Sequence, residues 1–292
     1  MFELMEAGRC SYYINSPAKI GVYLSGENEV YFIDSGNDKD AGRKLRQILE
    51  RMNWKLRGIL ITHSNADHIG GCRYLQQQTG CRVFAPGIER AFTENPILEP
   101  SFLYGGYPPE DLRHKFLLAQ DCPCADISDP DFPKEVEVIP LPGHFFHMVG
   151  YKLPDGTVFM ADCVSSPETL EKYQIGFIYD VAEYLNTLDR IAALDGKFFV
   201  PAHTEPCLSM AELADVNRAK VLEILDKIAA ICAKPACFED VLQKLFTDYE
   251  LQMDFAQYVL VGSTVRSYLS HLRDEGRITV EFSDNKLLWR AV

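Results

Sequence analysis

The sequence predicts a layered α/β protein that ends in a small helical domain. Three observations carry this. Short β-favouring runs alternate with segments of helical spacing through the first two thirds of the chain. Histidines and aspartates cluster directly after several of those runs, where a layered scaffold exposes polar groups on rigid supports. Near residue 209 the pattern changes to amphipathic helices.

The elements follow in order. Gly21–Ser25 and Glu29–Ile33 are apolar and β-favouring, with Gly26–Asn28 as the turn between them. Asp40–Met52 has helical spacing through Leu45, Ile48, Leu49 and Met52. Gly58–Thr62 reads as a short buried strand and Ile69–Gln78 as a helix. The pattern loosens between Gly87 and Pro133, which hold several prolines, Gly105-Gly106 and the aromatics Phe92, Phe102, Tyr104, Tyr107 and Phe116. Residues 87–135 are therefore expected to form an insertion or lid. Tyr104 and Tyr107 would line a substrate pocket, or else anchor the insertion or a homodimer contact. Strands resume at Val136–Pro140, Thr157–Ala161 and Phe198–Pro201, with a helix over Val181–Leu194.

Met210–Ile231 is expected to be a helix with Leu213, Val221, Leu225, Ile228 and Ile231 on its apolar face. Glu239–Phe246 is a second helix. Ser263 or Thr264 would cap a third, ending at Gly276. Ile278–Phe282 and Leu287–Arg290 flank Ser283-Asp284-Asn285-Lys286, a hairpin signature. Three helices and a hairpin resemble a winged helix, and the expected organisation is a domain over 1–208 and a second over 209–292. Leu208–Val292 holds ten Lys or Arg against thirteen Asp or Glu. That balance favours a cap over the active-site mouth, or a dimer contact, over a DNA-binding module.

Composition sets the broad class. The 292 residues are 47% hydrophobic, ample for a core, and the net charge of −13 disfavours nucleic acid and membrane surfaces as partners. Nine cysteines, an odd number, fit free thiols in a reducing compartment. Cys122-Pro123-Cys124, without a second pair, reads as thiols in a surface loop, and Cys163 as small buried packing. No run approaches the roughly 20 apolar residues of a membrane span. Met1–Cys10 carries Glu3, Glu6 and Arg9 and no apolar core, so it is not read as a signal peptide. A cytoplasmic location is expected.

Five of the seven histidines gather around the strand ends: His63 and His68 in Thr62-His63-Ser64-Asn65-Ala66-Asp67-His68, His144 in Pro142-Gly143-His144, His147 just beyond, and His203 in Pro201-Ala202-His203. Asp162 follows Met160-Ala161 in the same way. Imidazole and carboxylate together suit zinc, iron or manganese. A metal with an open position lowers the pKa of its water towards about 7 and so supplies a nucleophile at neutral pH.

In order and spacing these residues resemble the metallo-β-lactamase superfamily over roughly residues 10–206. His63-x-Asn65-x-Asp67-His68 resembles its His-x-His-x-Asp-His signature, and Asp34 in Phe32-Ile33-Asp34-Ser35-Gly36 its early Asp-(Thr/Ser)-Gly motif. The resemblance implies an αββα sandwich and hydrolysis by a metal-bound hydroxide. One site would take Asp67, His68, Asp162 and His203, holding Zn2+. The second would take His63, Asn65, His144 and Asp162, so that one or two ions are bound. Asp34 would support the first motif from behind, and Asp67 would also orient the water. Two departures stand out. Asn65 replaces the usual histidine and would weaken the second site. His147 stands where relatives run Ser/Thr-Pro-Gly, and it would compensate as a ligand, act as a catalytic acid, or be a satisfied structural histidine. The substrate is expected to be a small ester, thioester, lactone or phosphodiester. The rivals are an iron-dependent oxidoreductase at the same site and a non-catalytic DNA-binding regulator.

Overall fold

Alternation of side chains along the strands builds two stacked sheets. The computed structural model describes residues 2–292. The first sheet takes its seven strands in chain order: β1 (Glu3–Glu6), β2 (Ser11–Asn15), β3 (Ile20–Leu24), β4 (Glu29–Ile33), β5 (Lys55–Leu60), β6 (Arg82–Ala85) and β7 (Ala125–Asp126). Pairing is antiparallel up to β4 and parallel beyond it. Each parallel step needs a crossover. These are α1 (Lys39–Met52), then α2 (Ala66–Ile69) with α3 (Cys72–Thr79), then α4 (Glu89–Glu94) with α5 (Leu98–Tyr104).

The second sheet comprises β8 (Glu137–Pro140), β9 (Val149–Lys152), β10 (Thr157–Ala161) and β11 (Phe198–Pro201), in the order β11-β10-β9-β8. Helices α6 (Pro167–Tyr173) and α7 (Val181–Ala192) carry the chain from β10 to its parallel neighbour β11. Beyond lie α8 (Ala211–Ile231), α9 (Phe238–Asp248), α10 (Phe255–Asp274) and the hairpin of β12 (Ile278–Ser283) and β13 (Lys286–Ala291). No helix among the described residues is long and apolar enough to cross a membrane.

Successive residues of the central strands face opposite ways. Tyr23, Ile33, Leu60 and Phe84 meet Tyr151, Phe159 and Val200 between the sheets. Their neighbours Val22, Phe32, Ile59 and Val83 face Leu45, Ile48 and Leu75 of α1 and α3. On the far side Val158, Met160 and Phe199 face Leu188 and Ile191 of α7. This is the expected αββα sandwich. Strands buried on both faces lose polar alternation, which is why they read as continuous apolar runs.

The cluster outside the second sheet does not stop near residue 208. It continues through Val221, Ile224, Leu225 and Ile228 of α8 to Leu242, Val265, Leu269 and Leu272. The C-terminal helices thus share their core with the sandwich.

Several expectations are corrected. The helix read over Ile69–Gln78 is two short helices broken at Gly70-Gly71. A Cβ on Gly70 would lie 2.2 Å from the carbonyl carbon of Asn37, and one on Gly71 2.4 Å from the Ser35 oxygen. The segment must pass close to the β4–α1 loop, so no side chain fits there. The third C-terminal helix does not open at Ser263 or Thr264. It begins at Phe255, and Asp254 caps it by accepting the Gln257 N–H at 2.8 Å. Thr264 is buried mid-helix and donates to the Leu260 carbonyl. The hairpin turn is only Asp284-Asn285, both with positive φ (49° and 61°), as a two-residue type I′ connection requires. Strands β1, β2, β6 and β9 and helix α6 had no sequence prediction, being short and irregular in pattern.

Asp155, in the β9–β10 turn, ties the first sheet to the second. It accepts from the Cys10 N–H (2.9 Å), the Ser11 hydroxyl (2.7 Å) and the Thr157 N–H (3.1 Å). Burial opposes ionisation, but those donors win and hold its carboxyl down at about 2. A depressed folded-state pKa means the stabilisation is complete above the unfolded value, near 3.8, and is lost as pH falls through about 2. Asp155→Asn should therefore cost roughly 1.5 kcal/mol at neutral pH. Urea midpoints of the two metal-free proteins should converge between pH 4 and 2. A gap that stays constant through that window would contradict the assignment.

Candidate metal centre

The first half of the site is fixed by Asp34, a buried aspartate in left-handed backbone (φ 65°) just past β4. Its carboxylate accepts the Thr62 N–H (2.8 Å), the Thr62 hydroxyl (2.7 Å) and His68 Nδ1 (2.8 Å). One side chain thereby sets both the end of β5 and the ring of His68. Such strained backbone persists where the surroundings over-determine it, as at functional sites. The Thr62 oxygen, having given its proton to Asp34, faces His63 Nδ1 at 3.1 Å.

The second half obeys the same logic. His144 Nδ1 donates to the Phe177 carbonyl and His203 Nδ1 to the Pro17 carbonyl, both at 3.0 Å. The His203 loop is gripped further by Lys19, whose N–H reaches the Ala202 carbonyl (2.9 Å) and whose ammonium reaches that of Thr204 (2.8 Å). A register shift in β10 and a positive φ at Ala161 (50°) re-aim the strand end just before Asp162. In all four histidines Nδ1 has a protein partner, so each presents Nε2 inward, as ligand histidines do.

These Nε2 atoms converge on two carboxylates. Asp162 lies 3.2 Å from His68 Nε2, 3.1 Å from His203 Nε2, 3.7 Å from His144 Nε2 and 4.0 Å from His63 Nε2. Asp67 lies 3.3 Å from His203 Nε2 and 3.8 Å from His68 Nε2. Two ligand sets result: Asp67, His68, Asp162 and His203, and His63, His144 and Asp162. A tetrahedral ion with bonds of about 2.0–2.1 Å holds its ligands roughly 3.3 Å apart, close to the spacing in the first set. Three buried atoms, His63 Nε2, His68 Nε2 and Asp162 Oδ1, have no hydrogen-bond partner. Buried polar atoms are almost always satisfied, so these orphans at a common point fit a divalent cation.

The electrostatics agree. Burial resists charge on His68, but Asp162, Asp67 and Asp34 hold its imidazole well above the ordinary value. Asp162 raises His203 to about 10 against the effect of burial. The partner carboxylates stay ionised despite burial, Asp162 under the pull of His203 and His68, and Asp67 under that of His68 and His203. Burial, reinforced by His68, drives His63 the other way, and burial likewise lowers His144. The set is thus rich in negative charge that a metal would neutralise.

Asn65 and His147 behave differently. Asn65 Nδ2 donates to the buried Glu99 of α5 at 2.6 Å, which leaves its amide oxygen as the only group it can offer a metal. His147 is not brought into either ligand set. It is exposed, and its Nδ1 turns away to the Ile88 N–H at 3.4 Å, over Gly87.

Sequence reasoning missed Glu89 and Glu99. Glu89 on α4 is fully buried and accepts from the Ser64 N–H (3.0 Å), the Ser64 hydroxyl (2.6 Å) and the His147 N–H (2.7 Å). Burial pushes its carboxyl up to about 7 despite those bonds, and pushes that of Glu99 well above its usual range. The segment read as an insertion or lid therefore reaches under the His63–His68 loop and supports it. Charged residues inside an irregular stretch carry no pattern that marks them as buried.

Tyr104 and Tyr107 are exposed, with Tyr104 edge-on to Phe255. Cys122 is buried rather than on a surface loop, and burial pushes both it and Cys124 up to about 12. Cys163 is buried packing, as expected.

The profile of the metallo-beta-lactamase superfamily matches residues 20–203, well over half of the chain. The chain belongs to that superfamily and is a hydrolase of its fold. It is 26% identical over 215 residues to the probable metallo-hydrolase YybB of Bacillus subtilis strain 168, covering 70% of this chain and 90% of that protein. It is 48% identical over 52 residues to a hydroxyacylglutathione hydrolase of Bradyrhizobium sp. strain ORS 278, but this spans only 18% of this chain and 20% of that enzyme. A metallo-beta-lactamase family protein of Thermus thermophilus superposes with a TM-score of 0.71 at 20% identity, covering 97% of this chain and 99% of that one. A beta-lactamase domain protein of Burkholderia ambifaria gives 0.75 at 16% identity, covering 99% and 94%. Both share the fold along essentially the whole chain, including the C-terminal helices.

Proposed function

We propose that the chain hydrolyses a small ester or thioester with zinc held by Asp67, His68, Asp162 and His203, and that His63, Asn65 and His144 form a weaker second site. The carrying observation is the convergence of four inward Nε2 atoms on Asp162, with buried atoms there lacking any partner. A bound divalent ion would lower the pKa of its water and polarise the substrate carbonyl. Asp67, kept ionised by its histidines, would accept a hydrogen bond from the attacking water and aim it. The water oxygen would bond to the acyl carbon as the bond to sulfur or oxygen breaks, one of the water's protons passing to the leaving group and the other being released from the new acid.

Three further readings accompany this one. The nine unpaired cysteines support a cytoplasmic setting. The winged-helix-like module, 209–292, acts as a cap, since α8 stands beside the site. His147 is retained only as a remote acid, reaching the leaving group after substrate binds.

The test is metal analysis of protein purified without added metal, followed by a panel of thioesters, esters, lactones and phosphodiesters. Bound zinc with turnover of esters or thioesters is expected. Near-stoichiometric iron with oxygen consumption would replace this reading by the oxidoreductase.

A further inference from the structure

A partly open chamber adjoins the metal centre. Its volume is about 70 Å³, and His144, Asp162 and His203 form one wall. Since one water position takes roughly 10–15 Å³ on this measure, it holds a group of about five non-hydrogen atoms. The other walls are largely apolar: Val164, Leu170, Phe177, Ile178, Val221 and Ile224.

The polar groups in these walls are not equally available. Asn217 of α8 is saturated. Its oxygen accepts the Ser165 N–H (2.9 Å) and the Tyr184 hydroxyl (3.2 Å), and its nitrogen donates to the Ser165 and Leu213 carbonyls, each at 2.8 Å. It fastens α8 to the loop after Asp162 and has nothing left for a ligand. Lys220, one turn further along α8, is different. It is the one lysine or arginine lining the chamber. Its ammonium donates to Gln174 Oε1 and to Glu223 Oε2, both at 2.8 Å, and its remaining face lies 5.1 Å from the centre of the Tyr249 ring, so no further side-chain oxygen takes its third N–H. The Glu223 pair is an i,i+3 contact with Glu223 43% exposed, and Glu223 keeps the Tyr249 hydroxyl at 2.9 Å as a second partner, so an incoming carboxylate can share the ammonium without leaving Glu223 unpartnered. The Lys220 side chain itself is only 17% exposed, so a carboxylate meeting it inside the chamber is largely out of water.

We propose that this chamber is the acyl subsite and that it selects short acyl groups whose far end carries a carboxylate, bound by Lys220. The inference rests on the hydrolase reading above and adds a substrate class to it. The reacting carbonyl lies outside, at the metal, and two methylenes with the distal carboxylate make up the roughly five non-hydrogen atoms the chamber holds, the carboxylate meeting the ammonium.

The test separates binding from turnover. Metal-loaded enzyme is titrated calorimetrically with butyrate and with succinate, which share one carboxylate for the metal wall and differ in the second. Succinate should bind about tenfold tighter to the wild type, Lys220→Met should abolish that preference while leaving butyrate within about twofold, and Lys220→Arg should keep part of it. Equal affinity of the wild type for the two acids, or a preference that survives in Lys220→Met, overturns the inference whether or not any variant folds poorly. In parallel, kcat/KM is measured for butyryl and succinyl thioesters of one thiol. Hydrolysis of both at equal efficiency removes the proposed selectivity and leaves the hydrolase intact. Succinate binding that depends on Lys220, with no hydrolysis of any ester or thioester, upholds the anion site and removes the hydrolase.

Discussion

Asp162→Asn should strip the bound metal and lower kcat/KM by about a thousandfold or more, a loss of roughly 4 kcal/mol of transition-state stabilisation. Asp162 touches all four inward histidines and belongs to both ligand sets. No neighbour can replace it in both sets: Asp67 reaches only the first, and Asp34 is committed to Thr62 and His68 on the other side of the ring. Asparagine keeps the shape and one oxygen but removes the charge that balances His68 and His203 and the ion. Metal content by elemental analysis and turnover in metal-supplemented buffer are the measurements. Full occupancy with near-normal turnover in Asp162→Asn would remove the central role given to this residue.

A chain ending at residue 208 is expected not to fold as a cooperative unit. The apolar cluster outside the second sheet joins Leu188 and Ile191 of α7 to Val221, Ile224, Leu225 and Ile228 of α8. Truncation exposes the α7 side of that contact and opens the chamber wall. Losing even one buried Leu or Ile side chain costs about 2–5 kcal/mol, and a domain has only about 5–15 to lose. Ile228→Ala, a smaller insult, should cost about 2–5 kcal/mol by urea unfolding. A 1–208 fragment with a sharp thermal transition would show instead that the sandwich is self-sufficient.

The candidate ligands were legible in the sequence because each motif is local. His63, Asp67 and His68 lie within six residues, and His144, Asp162 and His203 each follow a strand end. The central strands were legible for a related reason, since burial on both faces leaves a short apolar run with a turn at its end. What supports the site was not legible. Glu89 and Glu99 act on Ser64 and Asn65 across 25 and 34 residues, and no spacing rule encodes such a contact. The break at Gly70-Gly71 depends on how closely another loop approaches, which is a tertiary fact. Asp254 was passed over as a cap because Ser263 and Thr264 also have the chemistry of one, and Thr264 spends its hydroxyl on its own helix instead. His147 stands apart from the two ligand sets. It stands three residues from His144, yet the intervening Phe145 is buried and the chain turns His147 outward.

The division of the ligands between the two sheets has a mechanical consequence. His63, Asp67 and His68 leave the end of β5, while His144, Asp162 and His203 leave the ends of β8, β10 and β11. Each half of the sandwich brings three donors and neither can close a coordination shell by itself. A metal seated there would work as a rivet through the seam, and its binding free energy would become cohesion between the halves, about 2.7 kcal/mol when free metal stands at a hundred times its dissociation constant. The same ion that activates water would thus also keep the two layers from sliding apart.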